Sequence, residues 1–484
     1  MSSPGPDRRV WLHPAARVVA VGVLSAGVVL GADRLGAVSS GPVAQGTGEQ
    51  VAATDVTSYC SGDPLADSSE IDVTGSTAAH AAPDTVLQGV VTPSGEPGEI
   101  AVGDLSDDPA ETEGDATPEG RPASVVEDGL GEPVRVRARA DHAPGVAVGQ
   151  SFVAGGDRAT GLAVVPCTAP TADAWLVSGG AQEGRQEHLV LTNPGANPVS
   201  VTVATLGGEA EESVVVPPRD REVVLLDAIG GTDTPQAVHV TSSNGLVVPT
   251  IVDHHLDGLT PAGVETSVPT RAPSRRQVIP GGAEGDGRGL VVGVPGGSDA
   301  VVQVRSLGED GSRSATVETV PAGSAVDLDL PDTSGAHAWL VESDEPVVAA
   351  AHLTREASDG TRDMAWSVAT PAIRSLGGVA LPPDPGEDVA RTVSVAADEE
   401  PASAEVHAVR DGTVTTEEVS LEAGHSTSVS VGEADAVWVR PTRGSVHAAA
   451  LVVGGDDARE ARAASVPVRP SRVAVRDIEV VRRR

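Results

Sequence analysis

The chain has 484 residues and a formal net charge of −36, from 69 acidic and 33 basic side chains. So large an acidic excess disfavours nucleic acid and anionic membrane surfaces, both of which are held by basic groups. The length exceeds one ordinary domain and suits three or four. With one Phe and one Tyr in a chain that is 39% hydrophobic, cores must be filled by Val, Leu and Ala, and valine favours strands.

Residues 1–17 are polar and carry Arg8, Arg9 and Arg17, which reads as a cytoplasmic n-region. Residues 18–32 follow without a charge and read as a signal anchor, the alternative being a cleaved signal peptide. At about 1.5 Å per residue this run falls short of a ~30 Å hydrocarbon core. Ala15, Ala16 and a snorkelling Arg17 extend it, and Leu30 is not the small residue that cleavage after Ala32 requires. Either way the remainder is exported, with the arginines inside. The expected location is the cell membrane, single-pass, with the bulk extracytoplasmic; the alternative is a secreted protein. Residues 33–55, rich in Gly, Ser, Ala and Thr, read as a linker.

Four β repeats are expected next, at 56–170, 171–272, 273–374 and 375–470. Their ends match: Val165, Pro166 and Cys167 correspond to Val268, Pro269 and Thr270, with Ser367–Pro371 and Ser465–Pro470 as the later copies. Prolines at strand ends cost no ladder bond and so mark boundaries. The stretch 336–352 reads as strand, polar turn and strand, a hairpin signal that recurs at 237–252 and 436–452. Val240, Leu340 and Val439 align, which places Trp339 level with Trp438 and with His239. In the third repeat, strands are expected near 276–279, 288–294, 300–307, 315–320, 324–330, 336–342, 346–353 and 363–369. The strict alternation of Val326, Asp327, Leu328, Asp329 and Leu330 suits a half-buried strand. The turn at 320–324 matches 421–425 and, more loosely, 216–220. About eight short strands per ~100 residues predict an all-β chain of tandem antiparallel sandwiches, Ig-like in kind. The alternative is a β-propeller in which each unit supplies two blades.

The first repeat is the most degenerate. Its segment 104–120 carries Asp104, Asp107, Asp108, Glu111, Glu113, Asp115 and Glu119 without a base, and reads as a mobile acidic loop. Cys60 and Cys167 are the two cysteines. In a cytosolic protein they would be inert thiols; in an exported one a disulfide is expected. Such a bridge would staple the repeat that lacks Trp. Residues 471–484 form a basic tail ending in Arg482, Arg483 and Arg484.

Few constellations carry chemistry. Asp253, His254, His255 and Asp257 form the densest ligand-type cluster, but a turn rich in Asp and Gly explains it, and no metal site is assigned. The glycine-rich stretch 281–289 lacks the lysine of a phosphate loop and reads as a flexible connection. No nucleophile elbow or triad is recognisable, so neither catalytic residues nor a cofactor are expected. Trp339 and Trp438 are assigned to packing, with a weak ligand-stacking platform as the sharper alternative.

Leu189, Thr192, Asn193, Pro194 and Gly195, the valine-rich stretches that follow them, and Gly161–Cys167 leading into Trp175–Gly180 resemble a repeat of exported actinobacterial proteins. Together with the N-terminal anchor and Cys60 they resemble the actinobacterial domain-of-unknown-function family 5719, over most of residues 10–470. The resemblance implies a membrane-anchored extracytoplasmic β protein without a known activity. The expected role is a non-enzymatic scaffold or accessory of the cell envelope; the alternative is a cell-wall glycan-binding module. A membrane glycosyltransferase or a cell-wall polymer is the expected partner.

Overall fold

The computed structural model describes residues 50–476, apart from 64, 66–70, 107–123, 129–131, 157, 181, 209–210, 231–234, 284–285, 332–334, 359, 384, 387 and 455–459. The n-region, the segment 18–32, most of the linker, most of the acidic loop and the end of the basic tail lie outside the described residues. Among the described residues no helix is long and apolar enough to cross a membrane. Val51–Val475 form one compact unit; of the second unit only Gln50 and Arg476 are described.

Apart from two short strands, β1 (Gln50–Ala52) and β32 (Ala474–Arg476), the described strands fall into four successive groups. The first holds β2 (Asp55–Cys60), β3 (Asp72–His80), β4 (Glu99–Asp104), β5 (Ser124–Asp128), β6 (Val134–Arg139), β7 (Ala147–Gly155) and β8 (Gly161–Pro166). The second holds β9 (Asp173–Ser178), β10 (Arg185–Asn193), β11 (Val199–Thr205), β12 (Glu211–Val216), β13 (Asp220–Leu225), β14 (Gln236–Ser242), β15 (Val248–Asp257) and β16 (Thr260–Ser267). The third holds β17 (Ser274–Pro280), β18 (Gly287–Gly293), β19 (Ala300–Gly308), β20 (Gly311–Val320), β21 (Ala325–Asp329), β22 (Ala336–Glu356) and β23 (Arg362–Val368). The fourth holds β24 (Gly377–Ala380), β25 (Val389–Ala397), β26 (Ala402–Arg410), β27 (Thr413–Leu421), β28 (Ser426–Ser430), β29 (Ala436–Arg443), β30 (Val446–Gly454) and β31 (Ala463–Pro470).

The same wiring recurs in each group. In the second, a flanking sheet β12-β11-β14-β9 faces an axial sheet β13-β10-β15-β16. Valines at alternate positions of β11 (Val199, Val201, Val203) meet Leu189, Leu191 and Ile251 of the axial sheet in one core. The third group repeats this with β20-β19-β22-β17 and β21-β18-β22-β23, so β22 belongs to both sheets and joins them into a half-barrel. In the fourth, β24 pairs with both β29 and β31, and the eight strands close into a near-barrel. The first has β2-β6-β4 and β5-β3-β7-β8.

Two expectations need correction. The stretch 336–352 is not a hairpin. It is one 21-residue strand, β22, whose first half pairs with β17 and β19 and whose second half pairs with β18 and β23. Its counterparts β14/β15 and β29/β30 likewise join two sheets instead of pairing with each other. The two apolar runs are alike because each lines one side of the same core, a corner that a strand makes when it switches sheets. The alignment of Trp339 with Trp438 is also one residue out. Trp339 and Val341 point into their own group's core, as do Val238 and Val240, and Val437 and Val439. Leu340 and Trp438 point the other way. A one-residue slip on a strand exchanges its faces.

The matched turns do coincide. Arg219, Gly323 and Gly424 each take the left-handed backbone region, at φ of 54°, 69° and 72°. The second group places an arginine where the other two use the residue that adopts this conformation without a Cβ clash.

The last strand of every group lies at the centre. β16 packs against β8 and β23, and β31 packs against β23 and β8, so the four axial sheets form a propeller-like ring. Each group supplies one blade to it, not two. The seams between blades are apolar. Phe152, Val190 and Val264 join the first group to the second, and Val177, Val291 and Trp366 join the second to the third. Leu307, Leu340 and Ala396 join the third to the fourth, and Leu87, Leu376 and Trp438 join the fourth back to the first.

Candidate functional site

The residues that stand out chemically are charges buried where the blades meet. Asp363 sits at the start of β23 with no solvent exposure. Its carboxyl accepts four backbone N–H bonds. They come from Leu162 (2.9 Å), Val264 (3.4 Å), Met364 (2.9 Å) and Ala463 (2.7 Å), one from the last strand of each group. Gly161 and Gly263 make this approach possible. A Cβ at 161 would stand 2.4 Å from Asp363 Oδ1, and one at 263 would stand 2.7 Å from the Met364 nitrogen. Burial pushes the Asp363 carboxyl up to about 8, against the opposing pull of the backbone donors and of Arg462.

Glu265, on β16, is the second fully buried acid at the axis. It accepts from the Thr266 N–H at 2.8 Å. Burial raises its carboxyl well above the usual range, and the neighbouring Asp363 adds to this. Ser367 and Ser465, on adjacent axial strands, complete the centre with a 2.7 Å hydroxyl–hydroxyl bond.

A second cluster occupies the seam between the second and third groups. Arg185 on β10 forms a two-pronged pair with Asp253 on β15, and Trp366 on β23 donates its indole N–H to the same carboxylate at 2.9 Å. The guanidinium lies 5.7 Å from the Trp366 ring centroid. Glu187 accepts from the Gly179 N–H at 2.6 Å and stands 3.6 Å from Arg185. Burial, with Asp253 beside it, pushes the Glu187 carboxyl up to about 8. Burial works against the charge of Arg185, but Asp253 more than offsets it and holds the guanidinium protonated. These groups tie one blade to the next.

The residues singled out in the sequence are dispersed. Cys60 and Cys167 are bonded to each other, and the bridge joins the end of β2 to the residue after β8. Trp339 and Trp438 are both 0% exposed, with indole N–H groups donated to Gly282 O and Gly145 O. Neither presents a face to a ligand, which corrects the stacking alternative: an apolar ring on an inward position is worth more in a core than in water. Residues 253–257 end strand β15 and do not form a turn. Asp253 is held by Arg185, while His254 lies 2.8 Å from Arg158 O. Among the described residues no group of three or more His, Cys, Asp or Glu is placed to hold a metal.

Sequence reasoning missed Asp363, Glu265 and the Arg185 cluster. The available signal was a lone acid inside a final strand that carries no other charge, as Glu265 is within Thr260–Ser267.

A model of the family described as of unknown function, DUF5719, matches residues 117–432. That span runs from the first group into the fourth. The chain belongs to DUF5719. No curated protein matches this DUF5719 chain. Among solved structures, the tetra-tandem repeat in the extending region of a large adhesion protein is 15% identical. The match covers 78% of the DUF5719 chain and 93% of that one, with a TM-score of 0.09.

Proposed function

We propose that this DUF5719 chain is a non-enzymatic scaffold or accessory protein of the actinobacterial cell envelope, anchored by residues 18–32 with its repeats outside the membrane. On this reading each repeat is an Ig-like β-sandwich, and the sandwiches stand side by side around one axis. The observation that carries the proposal is Asp363. Its reactive carboxyl is committed to backbone donors from all four groups, where it orders the assembly and no solute reaches it. The Cys60–Cys167 bridge adds support, because disulfides persist in oxidising compartments. A membrane glycosyltransferase or a cell-wall polymer is the partner this role calls for. Crosslinking in the intact envelope, followed by identification of the captured species, tests it. The proposal predicts an envelope partner; recovery of the chain from the cytosol with both thiols open to alkylation overturns it.

A further inference from the structure

A cavity of about 200 Å³ opens where the ends of β8, β16 and β31 converge, lined by Thr168, Thr171, Trp175, Pro249, Pro269 and Arg469 among others. Arg469 sets it apart. Its Nη2 donates to Pro269 O, but its Nε is buried without an acceptor. No described carboxylate forms an ion pair with it. That is anomalous in a chain where acids outnumber bases 69 to 33. Asp173, the acid on the rim, is 65% exposed and turned to His239 at 3.2 Å. Arg469 as a whole is half-buried, and a cation held partly out of water without a counter-charge is costly unless something else supplies the charge.

We propose that this cavity binds a small oxyanion group, a carboxylate or a phosphate, with Arg469 as the counter-charge. The guanidinium presents a planar set of donors that matches such groups. Thr168 adds a hydroxyl, and its backbone is fixed from both sides. It exchanges two hydrogen bonds with Tyr59, of 2.9 and 3.0 Å, and it follows the bridged Cys167. Trp175 adds an apolar side chain to the lining: it is 8% exposed, with His239 stacked on it at 4.2 Å. At roughly 30 Å³ per water, the space holds about six or seven waters, enough for the anionic end of a larger molecule.

The test is titration calorimetry of the full-length protein at constant ionic strength, with inorganic phosphate, sodium acetate and neutral glycerol as probes. Saturable binding of phosphate or acetate, and none of glycerol, is expected, and the tighter of the two anions identifies the headgroup. Arg469→Gln should weaken binding at least tenfold, while Arg469→Lys should keep part of it. Thr168→Val leaves the arginine untouched and should weaken binding a few-fold, which keeps the test decisive if the Gln variant fails to fold. Absence of saturable binding to the wild type overturns the proposal. So does an affinity that Arg469→Gln, or Thr168→Val where the Gln variant does not fold, leaves unchanged. These outcomes are independent of whether an envelope partner is captured.

Discussion

Replacing Asp363 should loosen all four groups at once. Asp363→Ala leaves four buried N–H groups without an acceptor, on Leu162, Val264, Met364 and Ala463. An orphaned buried donor costs about 1–3 kcal/mol. Allowing for the relief of removing a buried acid, a net loss of about 4 kcal/mol or more is expected. Asp363→Asn keeps one oxygen, which satisfies two of the four donors, and should cost about half as much. A second signature comes from pH. The carboxyl ionises near 3.8 when exposed and near 8 in the fold, so between those values the folded state holds the extra proton. Its contribution is therefore full below about pH 4 and is lost as pH rises towards 8, at about 1.4 kcal/mol per pH unit. Asparagine does not titrate, so its penalty should shrink as pH rises through that window. Urea unfolding followed by tryptophan fluorescence from pH 5 to 8, with amide exchange resolved by residue, reads both effects. Faster exchange should appear at those four amides, which lie about a hundred residues apart in the chain. Faster exchange at Met364 alone, or a loss under about 1 kcal/mol, would refute the argument.

Other outcomes are equally specific. Reduction of the Cys60–Cys167 bridge, with a sequence separation of 107, should destabilise the first group by about 4–5 kcal/mol on the chain-entropy account. A melting temperature unmoved by reductant contradicts this. Trp438→Ala and Trp339→Ala should each cost about 3–5 kcal/mol. Only the former opens the seam between the fourth and first groups, so limited proteolysis should cut near residues 82–91 in that variant and not in the other. Arg185→Met strands Asp253 beside Trp366 and should cost about 3–5 kcal/mol, and a double change with Asp253→Leu should recover much of it. Burial holds the His80 and His447 imidazoles down to about 4, so stability they contribute is lost as pH falls from 6.5 towards 4. Above pH 6.5 the raised acids act, Asp363, Glu187 and Glu265 among them, and they lose stability as pH rises. The melting temperature should fall between pH 6.5 and 8; a rise across that interval would contradict the assignment.

The strands were legible because valine alternation survives translation into a two-sheet core. β19 and β21 lie where the third-repeat pattern places them, at Ala300–Gly308 and Ala325–Asp329. The ring was not legible. Its axial strands are buried on both faces, as Val264–Val268 is, and a strand without a solvent face loses the alternation that reports which side packs on what. For the same reason two runs on different sheets looked like hairpin arms, and Trp339 looked equivalent to Trp438. The role of Asp363 left no trace, since its four partners are backbone groups and any residue but proline supplies an N–H. Arg469 resembled a member of a boundary motif, and only its missing counter-ion distinguishes it.

The seam formed by Leu87, Leu376 and Trp438 fixes the copy number of the array. An open stack of repeats can lengthen or shorten by one unit, because its ends are capped separately from its middle. Here the final unit is the neighbour of the initial one, so insertion or loss of a unit strands two apolar faces instead of extending a chain. Duplication events that lengthen open arrays would in this architecture have to change the whole circle at once.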